Sequence, residues 1–184
     1  MPTPRRALLA ATCGVLPTVG GAGCLSRLTT RSLFAEYLQL KAVSVRWTRD
    51  GRSRRDEPLK LLSDGKSEIR GTVASEYAQL ASAPADVTVS ESVHDRLARE
   101  FDGVRYVVGF CGEDFGSPDA HGCRNTGISR DDFNRVQFGD RAEVRLVDDT
   151  FRLEDVEEGD RERVREWETD VREYDWEKRR ADRE

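Results

Sequence analysis

Four cysteines and two histidines carry most of the soft chemistry in this sequence: Cys13, Cys24, Cys111, Cys123, His94 and His121. Cys13 and Cys24 fall in an apolar, small-residue amino-terminal stretch. Cys111 and Cys123 lie far downstream with His121 between them. An even pair of cysteines outside the amino-terminal stretch points to a disulfide formed in an oxidising compartment. It would close a loop of about a dozen residues and contribute about 3 kcal/mol on the chain-entropy argument. Two other readings stand beside it: free reactive thiols, and a metal site made with His121. The metal reading has only Cys111, His121 and Cys123 to offer and lacks the C-x₂₋₄-C spacing of zinc sites, so no metal and no cofactor is expected.

The remaining candidates read as solvated surface. His94 sits beside Asp95 at the start of a predicted helix. Glu113, Asp114 and Asp119 near His121 do not follow the D-x-[DN]-x-[DN]-G order of a calcium loop. There is no G-x-S-x-G and no glycine-rich phosphate loop, and no catalytic residue is assigned. The run Arg52-Ser53-Arg54-Arg55 is basic and offers an anion something to bind, but Asp50, Asp56 and Glu57 around it are expected to cancel its field.

Arg5-Arg6 precedes the apolar run Ala7-Leu8-Leu9-Ala10-Ala11 and the small residues Gly21-Ala22-Gly23-Cys24. A basic start, an apolar middle and a small-residue exit make a secretory signal. The middle is too short for a membrane span and is broken by Pro17. Thr3-Pro4-Arg5-Arg6-Ala7-Leu8-Leu9 resembles a twin-arginine export signal. Gly21-Ala22-Gly23-Cys24 resembles a lipobox, which implies cleavage after Gly23 and lipid on Cys24. An ordinary signal peptide with an incidental thiol is the alternative.

The chain has 184 residues, with 35 acidic and 30 basic side chains and a formal charge of −5. Losing Arg5 and Arg6 with the leader would bring the charge to −7. That balance argues against general nucleic-acid binding. Lys41, Lys60, Lys66 and Lys178 are the only lysines; arginine supplies the rest of the positive charge. Scarce lysine, abundant acid, the paired arginines and the Ala-Gly-Cys exit together resemble exported lipoproteins of haloarchaea. A GC-rich mesophile would also favour arginine.

Alternation in Phe34 to Arg49 predicts a long strand with a bulge near Ala42. Arg49 to Glu57 reads as a polar turn region containing Asp50-Gly51, and Pro58 to Leu62 as a short strand. Ser63-Asp64-Gly65-Lys66 then marks a hairpin turn, with Lys66 to Glu76 returning. Val87 and Val89 mark another short strand. A helix capped by Ser92 carries Val93, Leu97 and Phe101 and ends at Gly103. Val104 to Cys111 is a central strand, and Gly112 to Gly127 a long loop needing a staple. Ser129 caps a helical turn anchored by Phe133, Val136 and Phe138, and a final hairpin runs through Val144 and Phe151. The expected class is mainly β with one helix between strands (α+β), and the element order resembles a small OB-like antiparallel barrel; an antiparallel α+β sandwich is the alternative.

From Gly159 to Glu184 nearly every residue is charged except for Val164, Trp167, Val171, Tyr174, Trp176 and a few others. The 3-4-3 spacing of the first four predicts an amphipathic helix. It either lies back on the domain, recruits a protein partner through Trp167, Val171 and Tyr174, or frays. The expected layout is thus a leader at 1–23, a tether at 24–33, a β domain at 34–158 and a charged helix or tail at 159–184. The expected function is a non-enzymatic binding or structural module of the cell envelope, lipid-anchored to the outer face of the cytoplasmic membrane. The alternative is a redox-active or hydrolytic envelope enzyme using Cys111, Cys123 and His121.

Overall fold

The stretch from Phe34 to Arg49 forms two strands rather than one. β1 (Ser32–Ala35) is separated from β2 (Tyr37–Arg49) by a bend at Glu36, and each enters a different sheet. β2 is also bulged: its register slips against β3 between Val43 and Val45, and against β5 between Leu38 and Leu40. An extra residue on one side bends a strand and increases its twist. The computed structural model describes residues 32–83, 86–117, 120–147 and 150–182. Arg5, Arg6, Cys13, Cys24, Asp119 and the Asp148-Asp149 turn lie outside them.

β3 (Arg52–Ser63) begins right after Asp50-Gly51, where φ is 49° and 71°. Two positive φ values in a two-residue loop suit the right-handed twist of the flanking strands. Strand pairing therefore takes up most of the expected polar turn. β4 (Glu68–Ala74) returns beyond the second predicted turn. There Asp64 Oδ1 accepts the backbone N–H groups of Lys66, Ser67 and Glu68 at 2.8, 2.9 and 3.0 Å. Slight burial would lift this carboxyl, but the three N–H donors hold it below the usual carboxylate range.

A 3-10 helix (Ser75–Ala81) follows. Val87 and Val89 are buried but form no strand. Side-chain amides serve their backbone instead: Gln137 Oε1 accepts from Val87 N at 2.9 Å and Asn134 Oδ1 from Val89 N at 2.8 Å. α1 (Glu91–Glu100) is capped by Ser90, not Ser92, and stops at Phe101 before Gly103. β5 (Gly103–Ser117) and β6 (Ala120–Ile128) then form a hairpin through the residues expected to be loop. α2 (Arg130–Arg135) is capped by Ser129 as expected, with Phe133, Val136 and Phe138 buried. β7 (Arg141–Val147) and β8 (Thr150–Glu157) pair as the final predicted hairpin.

The carboxyl segment is not one amphipathic helix. It comprises α3 (Arg161–Arg165), β9 (Glu168–Tyr174) and α4 (Trp176–Ala181), with β9 parallel to β4. Main-chain pairing with β4 outweighs the 3-4-3 spacing. Val164 and Trp176 are 2% exposed and belong to the same core as Phe110 and Phe133, so the expected boundary at 158 divides one core. Leu33 is buried as well, which brings the end of the expected tether into the domain.

The protein is mainly β with a few short helices, in two sheets ordered β1–β7–β8 and β6–β5–β2–β3–β4–β9. The sheets do not close into the expected OB-like barrel among the described residues. β9 extends the larger sheet beyond β4 instead. No described helix is long and apolar enough to cross a membrane.

Candidate functional site

Lys41 lies on β2 and is fully buried. Its Nζ donates to the carbonyl oxygens of Val87, Phe133 and Val136 at 2.9, 2.7 and 2.6 Å, and lies 3.1 Å from Gln137 Oε1. The Phe133 ring centroid is 4.3 Å away. Burial pushes this amine well below its ordinary pKa, while Asp140 and Asp86 pull it back. An ammonium has three donors and meets three carbonyls here, so the group ties β2 to the Val87 segment and to α2. Asp140, also fully buried, accepts from Gln137 N at 2.8 Å and Gly159 N at 2.9 Å. These buried charges act as fasteners between elements.

Cys111 on β5 and Cys123 on β6 are directly opposite in the ladder and joined as a disulfide. The disulfide reading holds, and both sulfurs are thereby withdrawn from the metal reading with His121. Cys111 is buried and Cys123 exposed, with the Tyr37 hydroxyl 4.0 Å from Cys123 Sγ. On the same side, ligand atoms of Glu36, Glu113 and His121 lie within 4.8 Å of one another. His121 Nδ1 is 3.6 Å from Glu36 Oε1, and Glu113 N donates to that oxygen at 3.0 Å. Two carboxylates and an imidazole have the chemistry to hold a divalent cation. The side chains of Glu36 and His121 are 39% and 58% exposed, so water competes fully for any such ion.

Glu36 and Tyr37 also form one rim of a groove of about 380 Å³ where the two sheets part. Gly65 and Lys66 from the β3–β4 turn, Gly139, Arg141 on β7, and the stretch from Glu157 to Trp167 complete it. Gly139 has φ 91°, and a Cβ there would run into Val164. A Cβ at Gly159 would collide with the carbonyl oxygen of Gly139. The floor thus depends on two glycines that let backbones touch. The walls mix Glu36, Glu157, Glu158 and Asp160 with Lys66, Arg141 and Arg163.

The expected partner-binding residues are turned mostly inward. Trp167, Val171 and Tyr174 are half-buried against the core, and Tyr174 donates its hydroxyl to the carbonyl of Glu57 at 2.6 Å. Trp167 lines the groove, while Val171 lines a separate small cleft with Leu61, Ile69 and Thr169. His94 is half-buried, and its Nδ1 is 2.6 Å from the Tyr106 hydroxyl. Sequence reasoning brought His121, Glu113 and the cysteine pair together. It missed Glu36 and Lys41, whose roles depend on long-range pairing and leave no local signal.

Compared with known proteins, the chain matches no family model, no curated protein and no solved structure.

Proposed function

We propose that this protein is an exported lipoprotein, anchored through Cys24 to the outer face of the cytoplasmic membrane, whose β domain acts as a non-enzymatic binding or structural module of the envelope. The Cys111–Cys123 disulfide carries the reading. A cross-link between exposed and buried positions of a hairpin suits an oxidising compartment, the destination that Arg5-Arg6 and Gly21-Ala22-Gly23-Cys24 imply. The buried charged side chains Lys41 and Asp140 join elements to one another. The open groove beside Tyr37 and Trp167 is a place for a ligand or partner to rest.

Fractionation of the producing cell tests it. Wild-type protein should sediment with membranes and be cut by protease added outside. Cys24→Ser should release it to the medium, and Arg5→Lys with Arg6→Lys should retain it inside. Soluble cytosolic protein unaffected by Cys24→Ser would contradict the proposal.

One observation favours the redox alternative: Cys123 is exposed, and His121 is two residues away on the same strand. After reduction, an alkylating agent should find a Cys123 thiol of ordinary reactivity under our reading. A thiol made reactive at low pH, and slowed by His121→Ala, would favour the redox enzyme.

A further inference from the structure

The acids expected to cancel the basic run on β3 are engaged elsewhere. Asp50 faces Arg49 at 3.9 Å, Glu57 pairs with Lys60 at 3.0 Å, and Asp56 is buried and pairs with Arg179 at 3.3 Å. The field of Arg55 is therefore left standing. Arg55 is directly opposite Arg46 across β2 and β3. Like charges directly opposite on neighbouring strands destabilise a sheet, so this pairing has a cost that the fold does not explain. On the other side of β2, Arg105 is opposite Ser44, and Gly103 is opposite Arg46. Arg46, Arg55 and Arg105 line one cleft of about 230 Å³ with Ser44, Val45, Gly103 and Val104, the Arg105 side chain leaning over Gly127 of β6. No acidic residue lines it, and among the described residues none of the three arginines has an ion-pair or hydrogen-bond partner. The formal charge of the whole chain is −5.

We propose that Arg46, Arg55 and Arg105 form an oxyanion site that takes a phosphoryl group. Guanidinium forks bind tetrahedral oxyanions bidentately. Three of them exceed what one carboxylate can neutralise, which favours a phosphate. Gly103, having no side chain opposite Arg46, lets the Arg46 guanidinium lie over the strand at the edge of the cleft. The group can come from free phosphate or from the headgroup of an anionic phospholipid. This inference deepens the binding-module reading and rests on it. The cleft and the anchor are nevertheless read by different experiments, because soluble phosphate reports on the cleft alone.

The test titrates inorganic phosphate into the full chain at low ionic strength, by calorimetry and by thermal unfolding. A parallel arm measures co-sedimentation with vesicles of phosphatidylglycerol against vesicles of phosphatidylcholine. One-to-one phosphate binding is expected, weakened about tenfold by Arg55→Gln or Arg105→Gln and unchanged by Arg152→Gln on β8. Phosphate should raise the unfolding temperature of the wild type. Arg55→Gln should itself raise that temperature when phosphate is absent, since it removes the Arg46–Arg55 repulsion; a structural role for Arg55 predicts a fall. Binding to phosphatidylglycerol vesicles through the same arginines, without binding of free phosphate, identifies the headgroup as the source and supports the site. No saturable binding of either probe, or binding that survives all three Arg→Gln substitutions, overturns it.

Discussion

Lys41 Nζ lies 2.6 Å from the carbonyl oxygen of Val136, so a fully buried lysine amine is held by main chain and not by a carboxylate. Three segments distant in sequence meet at that nitrogen. Lys41→Met keeps the apolar stem and removes the donors, leaving the carbonyls of Val87, Phe133 and Val136 without them. Each such group costs about 1–3 kcal/mol, so the loss should be at least about 3 kcal/mol. Urea unfolding of Lys41→Met checks this, and a midpoint equal to wild type would refute the fastening role.

The carboxyl segment should prove inseparable from the domain. Deleting residues 159–184 removes β9 from its pairing with β4 and exposes the contacts of Val164 and Trp176. The shortened chain should lose cooperative thermal unfolding. Trp176→Ala alone, which also removes the edge-on contact with Phe101, should cost about 3–5 kcal/mol. A truncated protein that unfolds cooperatively at the wild-type temperature would show instead that the segment is a detachable docking arm.

Alkaline pH should unfold the protein cooperatively. Burial holds Tyr77, Tyr106 and Tyr174 protonated beyond the ordinary phenol range, with Glu100 adding to the effect at Tyr77 and Tyr106 pushed up to about 12. Unfolded phenols ionise near ~10. The unfolded state therefore sheds these protons first, and stability falls as pH rises above about 10. Lys41 has the opposite sign. Its folded value is lowered, so its contribution rises with pH up to about 10.4, the unfolded value, and levels off above it. Phenolate absorbance should climb in step with loss of circular dichroism. A gradual climb with the dichroism intact would contradict the burial of these rings.

Reduction should weaken the domain without dismantling it. Cys111 and Cys123 are 12 residues apart, so the loop they close corresponds to about 3 kcal/mol. The hairpin they join keeps its main-chain ladder from Tyr106–Ile128 to Gly112–Gly122. Cys111→Ser with Cys123→Ser should lower the unfolding free energy measured in urea by about 3 kcal/mol and leave the far-ultraviolet dichroism unchanged. Loss of strand signal in the double variant would show that the cross-link is needed to form β6.

What could be read from the sequence was local chemistry. Asp50-Gly51, Asp64-Gly65 and the Ser129 cap depend on their own backbone, and the structure places turns or a cap at each. The cysteine pair was legible from arithmetic and compartment alone. β6 was not, because its solvent-facing Ala120 to Asn125 shows no apolar alternation and is held by the ladder to β5. β9 was hidden by a spacing that suits a helix, while the strand itself has only Val171 and Tyr174 half-buried and no period-two alternation. Lys41 carried no signal of its own in the sequence, because its four acceptors come from distant segments. Glu36 looked like one acid among many, yet its bend sends β1 and β2 into different sheets.

The most direct measurement is the intact mass of the protein extracted from the membranes of its own cells, before and after reduction. The account predicts a chain that begins at Cys24, heavier than its residues by the mass of attached lipid, and gaining two hydrogens when Cys111–Cys123 opens. A full-length chain still starting at Met1 or Pro2, unlipidated and unchanged by reductant, would contradict it.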